Sequence, residues 1–162
     1  MNYHKIETDS MLNGDGLRVV LWVAGCTHNC PECHNPQTHD PMSGYELTED
    51  SLNVLYDYLA QPHIEGITFS GGDPLCECNR DVITVIAEDI KKHYPDKTIW
   101  CYTGFTYEAV RGLDIMQYID VLCDGPFIKA KKDEKLHWVG SSNQRVIDVA
   151  KTRATGEIVL YE

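Results

Sequence analysis

The feature that most constrains this chain is a group of three cysteines in the pattern C-x3-C-x2-C. Cys26, Cys30 and Cys33 fall within eight residues. This spacing lets a short loop fold back on itself and present three thiolates to one inorganic centre. Cys thiolate is the usual ligand of iron–sulfur clusters, so three protein thiolates on a four-iron cube would leave one iron open. Residues 25–35, here called the cysteine loop, therefore predict a cluster site with an open coordination position.

Structural zinc is the alternative, because Cys3His sites occur in proteins and His34 adjoins the third cysteine. Adjacent residues make awkward joint ligands, however, and the sequence contains no clean second knuckle of the kind that zinc sites combine. The other cysteines are less informative. Cys76 and Cys78 receive no role, and Cys101 and Cys123 lie in apolar stretches that predict small core residues.

Composition limits the class of protein. The 162 residues are 43% hydrophobic, which fits a single domain over residues 1–162. The net charge of −11 argues against a nucleic-acid partner, whose phosphates would be repelled. The sequence lacks both an apolar run long enough to span a membrane and the apolar core of a signal peptide, so we expect a cytoplasmic protein without a membrane partner. The clustering of cysteines favours metal ligands over disulfides.

Apolar runs and helix-period patterns alternate along the chain at a spacing typical of parallel βαβ units. We expect strands at 17–23, 66–69, 97–102 and 119–123, and helices at 48–59, 81–94 and 106–117. Thr48 is the predicted N-cap of the first helix, and the third helix should break near Gly112. Residues 1–16 are interpreted as a lead-in. A short strand is expected near 146–148, and residues 157–161 are expected to form a final edge strand. The predicted fold class is α/β.

Small or polar residues follow each predicted strand, and parallel strands bring such ends to one edge of a sheet. The cysteine loop follows the first strand. Gly71, Gly72 and Asp73 follow the second, where two glycines let the backbone come close to a ligand and a carboxylate can accept hydrogen bonds from an ammonium group. Thr103 and Asp124 follow the third and fourth strands. We expect these groups to share one site.

The cysteine loop and the Gly-Gly-Asp that follows the next strand resemble the radical S-adenosylmethionine (SAM) superfamily. The resemblance implies an open partial (β/α) barrel of mostly parallel strands. It also implies a [4Fe-4S] cluster held by Cys26, Cys30 and Cys33, whose fourth iron binds SAM. The SAM-binding residues that it implies are Glu32, Cys33, His34, Gly71, Gly72 and Asp73, with Thr103 and Asp124 as weaker contacts at the rim.

A narrower resemblance covers landmarks from residue 13 to residue 145, in order. The cysteine loop, 13–16, 70–75, 100–104, 121–125 and 140–145 are similar to the activating enzymes of anaerobic ribonucleotide reductases. This resemblance implies an oxidoreductase that cleaves SAM reductively and generates a glycyl radical on the large reductase subunit. It also implies a low-potential, flavodoxin-like electron donor. No catalytic side chain is expected beyond the cluster and SAM, because the radical itself abstracts the hydrogen atom.

Two alternatives remain beside this interpretation. One is activation of another glycyl radical enzyme, such as pyruvate formate-lyase, and the other is a zinc-stabilised binding module without catalysis. Glu32 departs from the aromatic or apolar residue that many radical SAM loops carry before the third cysteine. His28 is expected to face solvent. The lysines of residues 129–135 form the one locally basic patch, which we interpret as a solvated loop, with a lid or docking segment as the alternative.

Overall fold

The computed structural model describes all 162 residues, which form a seven-stranded mixed sheet with helices between its central strands. The strand order is β3-β1-β2-β4-β5-β6-β7. The strands are β1 (Asn2–Ser10), β2 (Arg18–Val23), β3 (Tyr45–Glu46), β4 (Gly66–Gly71), β5 (Thr98–Tyr102), β6 (Val121–Asp124) and β7 (Arg145–Asp148). The helices are α1 (Glu49–Leu59), α2 (Arg80–His93), α3 (Tyr107–Val110) and α4 (Val149–Thr155).

The centre of the sheet is parallel, as the strand–helix alternation predicts. β2 pairs with β4, β4 with β5 and β5 with β6, all in parallel register, and a helix lies in each connection. The edges are antiparallel, because β1 joins β2 by a short turn and β7 returns against β6. The α/β class is confirmed. Closure into a radical SAM type of partial barrel stays a prediction.

The two faces of the sheet are buried in different ways. Alternate residues such as Val19, Leu21 and Phe69 pack against the helices in a core of 23 buried residues. The opposite face carries a smaller aromatic cluster, in which the indole of Trp100 contacts Trp138 and Tyr161 edge-on. Because side chains alternate along a strand, the second face is free to line a cavity while the first holds the fold together.

The helices begin and end for local reasons. Thr48 caps α1 by accepting a hydrogen bond from the Ser51 backbone, in a reciprocal capping box, so the predicted N-cap is confirmed. The third predicted helix is broken, as expected near Gly112, into the four residues of α3 and a 3-10 turn at Asp114–Gln117. The longest helix, α2, has 14 residues. No helix combines the length and the apolar character needed to cross a membrane.

Both ends of the chain differ from expectation. Residues 1–16 are not merely a lead-in, because they contain β1, the longest strand. The predicted strand at 157–161 is wrong: only Leu160 makes an isolated bridge, to Ile147. α4 was not predicted; it is capped by Asp148 and ended by Gly156 in the left-handed conformation. A helix of seven residues is too short to leave a periodic signal, so its formation depends on caps and packing.

Candidate metal and cofactor site

A cavity of about 360 Å³ lies where the parallel strands end. The cysteine loop follows β2, Ser70 and Gly71 end β4, Thr103 follows β5 and Gly125 follows β6. Twelve residues that follow or end these strands line the cavity: Cys26, His28, Cys30, Cys33, His34, Asn35, Ser70, Gly71, Gly72, Thr103, Gly104 and Gly125. The predicted gathering of strand ends at one edge is therefore present.

The three cysteines of the loop all line this cavity as free, half-buried thiols. The loop bends through Asn29 and Glu32, whose φ angles of 49° and 56° are left-handed. Burial raises the pKa of Cys26 to about 11, against a backbone hydrogen bond at His28 that lowers it. A bound metal favours the thiolate, so metal binding would have to displace this proton. Three thiols on one loop facing one cavity fit the donor set of an iron–sulfur cluster.

The base of the cysteine loop is fixed by backbone and amide hydrogen bonds. The backbone N–H groups of Gly25 and Cys26 donate to the carbonyls of Thr38 and His39, at 2.7 and 3.1 Å. The buried side chain of Asn79 donates to the Ala24 carbonyl at 2.9 Å. The start of the loop is thus held without help from a metal.

Asp73 is the most heavily hydrogen-bonded carboxylate of the site, and it is 1% exposed. It accepts hydrogen bonds from the backbone N–H of Leu75 and Gly104, both at 2.9 Å, and from the hydroxyl of Thr103. Its Oδ2 lies 2.5 Å from Nε2 of His28. Asp73 does not line the cavity. In this structure its oxygens are occupied by donors of the protein itself, and they join the ends of β4 and β5.

The prediction that His28 faces solvent is wrong. Its ring lies against Phe105 at a centroid distance of 4.5 Å, and its side chain is 17% exposed. The hydrogen bond that the Asp73 carboxylate accepts is the main cause of the raised pKa of His28, with burial opposing it. Gly104 permits this contact, because a Cβ there would lie 2.5 Å from the imidazole. The partners are 45 residues apart, so sequence spacing gave no signal.

Ligand atoms of Cys26, His28 and Asp73 lie within 4.8 Å of one another, so this group could also hold a metal ion. This group shares Cys26 with the predicted cluster ligands, and the carboxylate of Asp73 already accepts hydrogen bonds from Thr103 and Gly104. The group therefore overlaps the predicted cluster site and offers no separate centre.

The predicted SAM-binding residues divide into two sets. Those that line the cavity are Cys33, His34, Gly71, Gly72 and Thr103. Those that do not are Glu32, Asp73 and Asp124. Glu32 points outward and pairs with Lys129 at 2.6 Å. Asp124 is buried, accepts a hydrogen bond from the Tyr107 backbone and pairs with Arg145, whose pKa it raises.

The two glycines after β4 allow three chain segments to meet. Gly71 has φ of 104°, and a Cβ there would lie 2.5 Å from the backbone of Val23. A Cβ at Gly72 would lie 2.5 Å from the Gly25 carbonyl. Any side chain at either position would push the end of β4 away from the cysteine loop. This is a close approach of the chain to itself, and the predicted close approach of the backbone to a ligand stays a prediction.

The aromatic part of the cavity wall was not predicted from the sequence. Trp22, Tyr102, Phe127 and Trp138 line the cavity together with Asn13, Val139, Gly140 and Gln144. The indole N–H of Trp22 is buried and has no hydrogen-bond partner. Trp22 and Tyr102 belong to strands, where the alternation of side chains could have identified the face opposite the helices. Cys76 is buried and Cys78 exposed, and neither lines the cavity.

Comparisons with known proteins agree with this site. The family described as "4Fe-4S single cluster domain" matches residues 12–147. The chain is 39% identical, over 90% of its length and 93% of the relative's, to the anaerobic ribonucleoside-triphosphate reductase-activating protein of Enterobacteria phage T4. Proteins of the same name from Escherichia coli K12 and Vibrio cholerae are 37% and 36% identical, over 90% and 89% of this chain and 97% and 96% of their own. The 4Fe-4S description favours an iron–sulfur cluster over structural zinc.

Proposed function

We propose, from the premise that the chain belongs to the family of anaerobic ribonucleoside-triphosphate reductase-activating proteins, that it is a radical SAM enzyme acting on the large subunit of that reductase. It cleaves SAM reductively and leaves a glycyl radical on the large subunit. A low-potential, flavodoxin-like protein supplies the electron. The reaction takes place in the cytoplasm, where thiolate ligands stay reduced.

The observation that carries this proposal is the convergence of Cys26, Cys30 and Cys33 on one cavity, beside the glycines that end β4. Three thiolates would hold a [4Fe-4S] cluster and leave one iron without a protein ligand. When bound, such a cluster supplies one electron to the sulfonium of SAM, which yields methionine and a 5′-deoxyadenosyl radical. The chain itself then has to bind, orient and shield the substrate.

Different residues would bind, orient and shield the substrate. Gly71 and Gly72 line the cavity, where their backbone can hydrogen-bond the methionine end of SAM. The aromatic wall that includes Trp22 and Tyr102 offers apolar area and the free indole N–H for the nucleoside end. Asp73 acts mainly through Thr103 and Gly104, whose positions it fixes. No side chain has to act as acid or base, because hydrogen-atom abstraction needs none.

Anaerobic reconstitution with iron and sulfide tests the proposal. The protein should bind about four irons in one cluster. With sodium dithionite and SAM it should release 5′-deoxyadenosine, and with the reductase large subunit it should give a glycyl radical signal in electron paramagnetic resonance. Cys26→Ala, Cys30→Ala and Cys33→Ala should each abolish cleavage, whereas Cys78→Ala, outside the loop, should retain it.

Three results would contradict the proposal. A colourless protein with one zinc ion would indicate the binding module. Cleavage of SAM with a radical on pyruvate formate-lyase but none on the reductase would indicate the other class of activating enzyme. Full turnover in any of the three loop variants would show that the cluster is held elsewhere.

A further inference from the structure

The segment that follows β6 and leads to β7, residues 126–144, is here called the covering segment, and it carries the densest group of lysines in the chain. Lys129, Lys131, Lys132 and Lys135 occupy seven residues and are all exposed. Residues 129–135 hold four of the 14 Lys and Arg residues but only two of the 25 Asp and Glu residues. They therefore carry a charge of +2 on a chain whose net charge is −11.

The covering segment lies beside the cysteine loop and forms one wall of the cavity. Phe127 and Trp138 line the cavity, and the ring of Phe127 lies 5.1 Å from that of His34. Nζ of Lys129 lies 2.6 Å from the carboxylate of Glu32, between the second and third cysteines. The lysines are thus exposed on a segment whose apolar residues face the cavity, next to the thiols that would hold the cluster.

The segment is an ordered structure. Residues Lys129–Lys131 form a 3-10 turn, Lys132 bridges to Ser141, and the hydroxyl of Tyr102 donates to the Trp138 carbonyl at 2.8 Å. The lysine backbones therefore have fixed positions relative to the cavity. Such order is more than a freely solvated loop requires.

Two of the four lysines have no partner of opposite charge. Lys129 pairs with Glu32, and Lys132 lies 3.4 Å from Glu134. Lys131 and Lys135 make no ion pair. Their charge is therefore available to a partner, on a protein that otherwise repels acidic surfaces.

We propose that this lysine patch docks an acidic protein that donates one electron to the cluster. The inference rests on the proposed function, because only a redox cluster needs a donor. One electron leaves the reduced cofactor of the donor and enters the cluster, and no covalent bond is formed or broken. A partner of strong negative charge is repelled by the rest of the chain and steered to the patch, which places it next to the cysteine loop.

The experiment measures reduction of the reconstituted holoprotein by fully reduced flavodoxin, in anaerobic stopped flow at low ionic strength. Lys131→Glu/Lys135→Glu should slow the bimolecular rate by at least about tenfold, because electrostatic steering contributes 10-fold or more to such rates. The control Lys92→Glu/Lys151→Glu makes the same change of net charge on exposed lysines elsewhere and should have a much smaller effect. Added salt should slow the wild-type reaction and remove the difference between the variants.

Sodium dithionite separates this inference from the function on which it rests. With dithionite, SAM cleavage and glycyl radical formation on the reductase should be the same in Lys131→Glu/Lys135→Glu and wild type. If wild type fails to cleave SAM with dithionite, the proposed function is wrong. The docking inference is overturned if both double variants accept electrons from flavodoxin equally fast, or if the wild-type rate does not fall with salt. It is also overturned if the patch variant loses glycyl radical formation with dithionite, since the patch would then bind the reductase.

Discussion

Replacement of Asp73 by asparagine tests whether this carboxylate holds the site together. Asp73→Asn keeps the size of the side chain but removes the charge and replaces one acceptor oxygen by a donor. Oδ2 of Asp73 now accepts from the Gly104 backbone at 2.9 Å and contacts His28 at 2.5 Å, in a position that is 1% exposed. An amide nitrogen there would face two donors and could accept from neither.

The expected cost follows from these contacts. A hydrogen bond to a charged group contributes about 1.5–3 kcal/mol, and two are lost, so the free energy of unfolding should fall by about 3–6 kcal/mol. That is a large part of the 5–15 kcal/mol typical of a domain. Urea titration followed by circular dichroism, on protein without cluster, measures the change directly.

Asp9 provides the matched control. It forms the same kind of pair, with His63 at 2.8 Å, but the two side chains are 53% and 54% exposed. Asp9→Asn should change the unfolding free energy by less than about 1 kcal/mol, because exposed ion pairs contribute little. Asparagine also tolerates the left-handed φ of 55° at this position. Equal effects of the two substitutions would refute the reasoning, since burial would then not determine the contribution of the carboxylate.

Three further predictions test other parts of the structure. Arg18→Lys should destabilise by about 2–3 kcal/mol in urea titration, because an ammonium offers three donors where the buried guanidinium uses five; a neutral result would contradict this. Gly72→Ala should lower the iron bound on reconstitution, since its Cβ would meet the Gly25 carbonyl, whereas Gly112→Ala, with open space, should not. Burial raises the pKa of Tyr102, so the tyrosine ionises first in the unfolded chain and the free energy of unfolding falls above pH 10. Tyr102→Phe should therefore lose less stability over the same rise in pH, measured by urea titration, and an equal loss would show that Tyr102 is not the titrating group.

The central fold could be predicted from the sequence because its signals are local. The apolar runs and the helix-period faces lie within segments of 5–14 residues, and each run ends in residues that favour a turn. The edges gave weaker signals. β1 has a mixture of exposed and half-buried residues, because it lies near the edge of the sheet with only β3 beyond it. Its formation depends on pairing with β2, which a local pattern does not encode.

The site was predictable to the extent that strand ends determine it. The cysteines and glycines follow strands, and parallel pairing brings them together without further information. The contacts between these segments were not predictable in the same way. The sequence identified Asp73 as a candidate acceptor for a ligand, but its donors come from residues 28, 75, 103 and 104. Which of them reach the carboxylate depends on the packing of two strand ends against the loop.

The cysteine loop is consequently held with unequal strength on its two sides. Toward β4 and β5 it is tied by His28 to a buried carboxylate, and such charged hydrogen bonds are costly to leave unmade. Toward the covering segment its one ion pair joins Glu32 and Lys129, whose side chains are 63% and 62% exposed. Exposed pairs of this kind contribute about 0–1 kcal/mol. The first contact can therefore keep the cysteine loop in place against the sheet, while the second contact breaks at little cost.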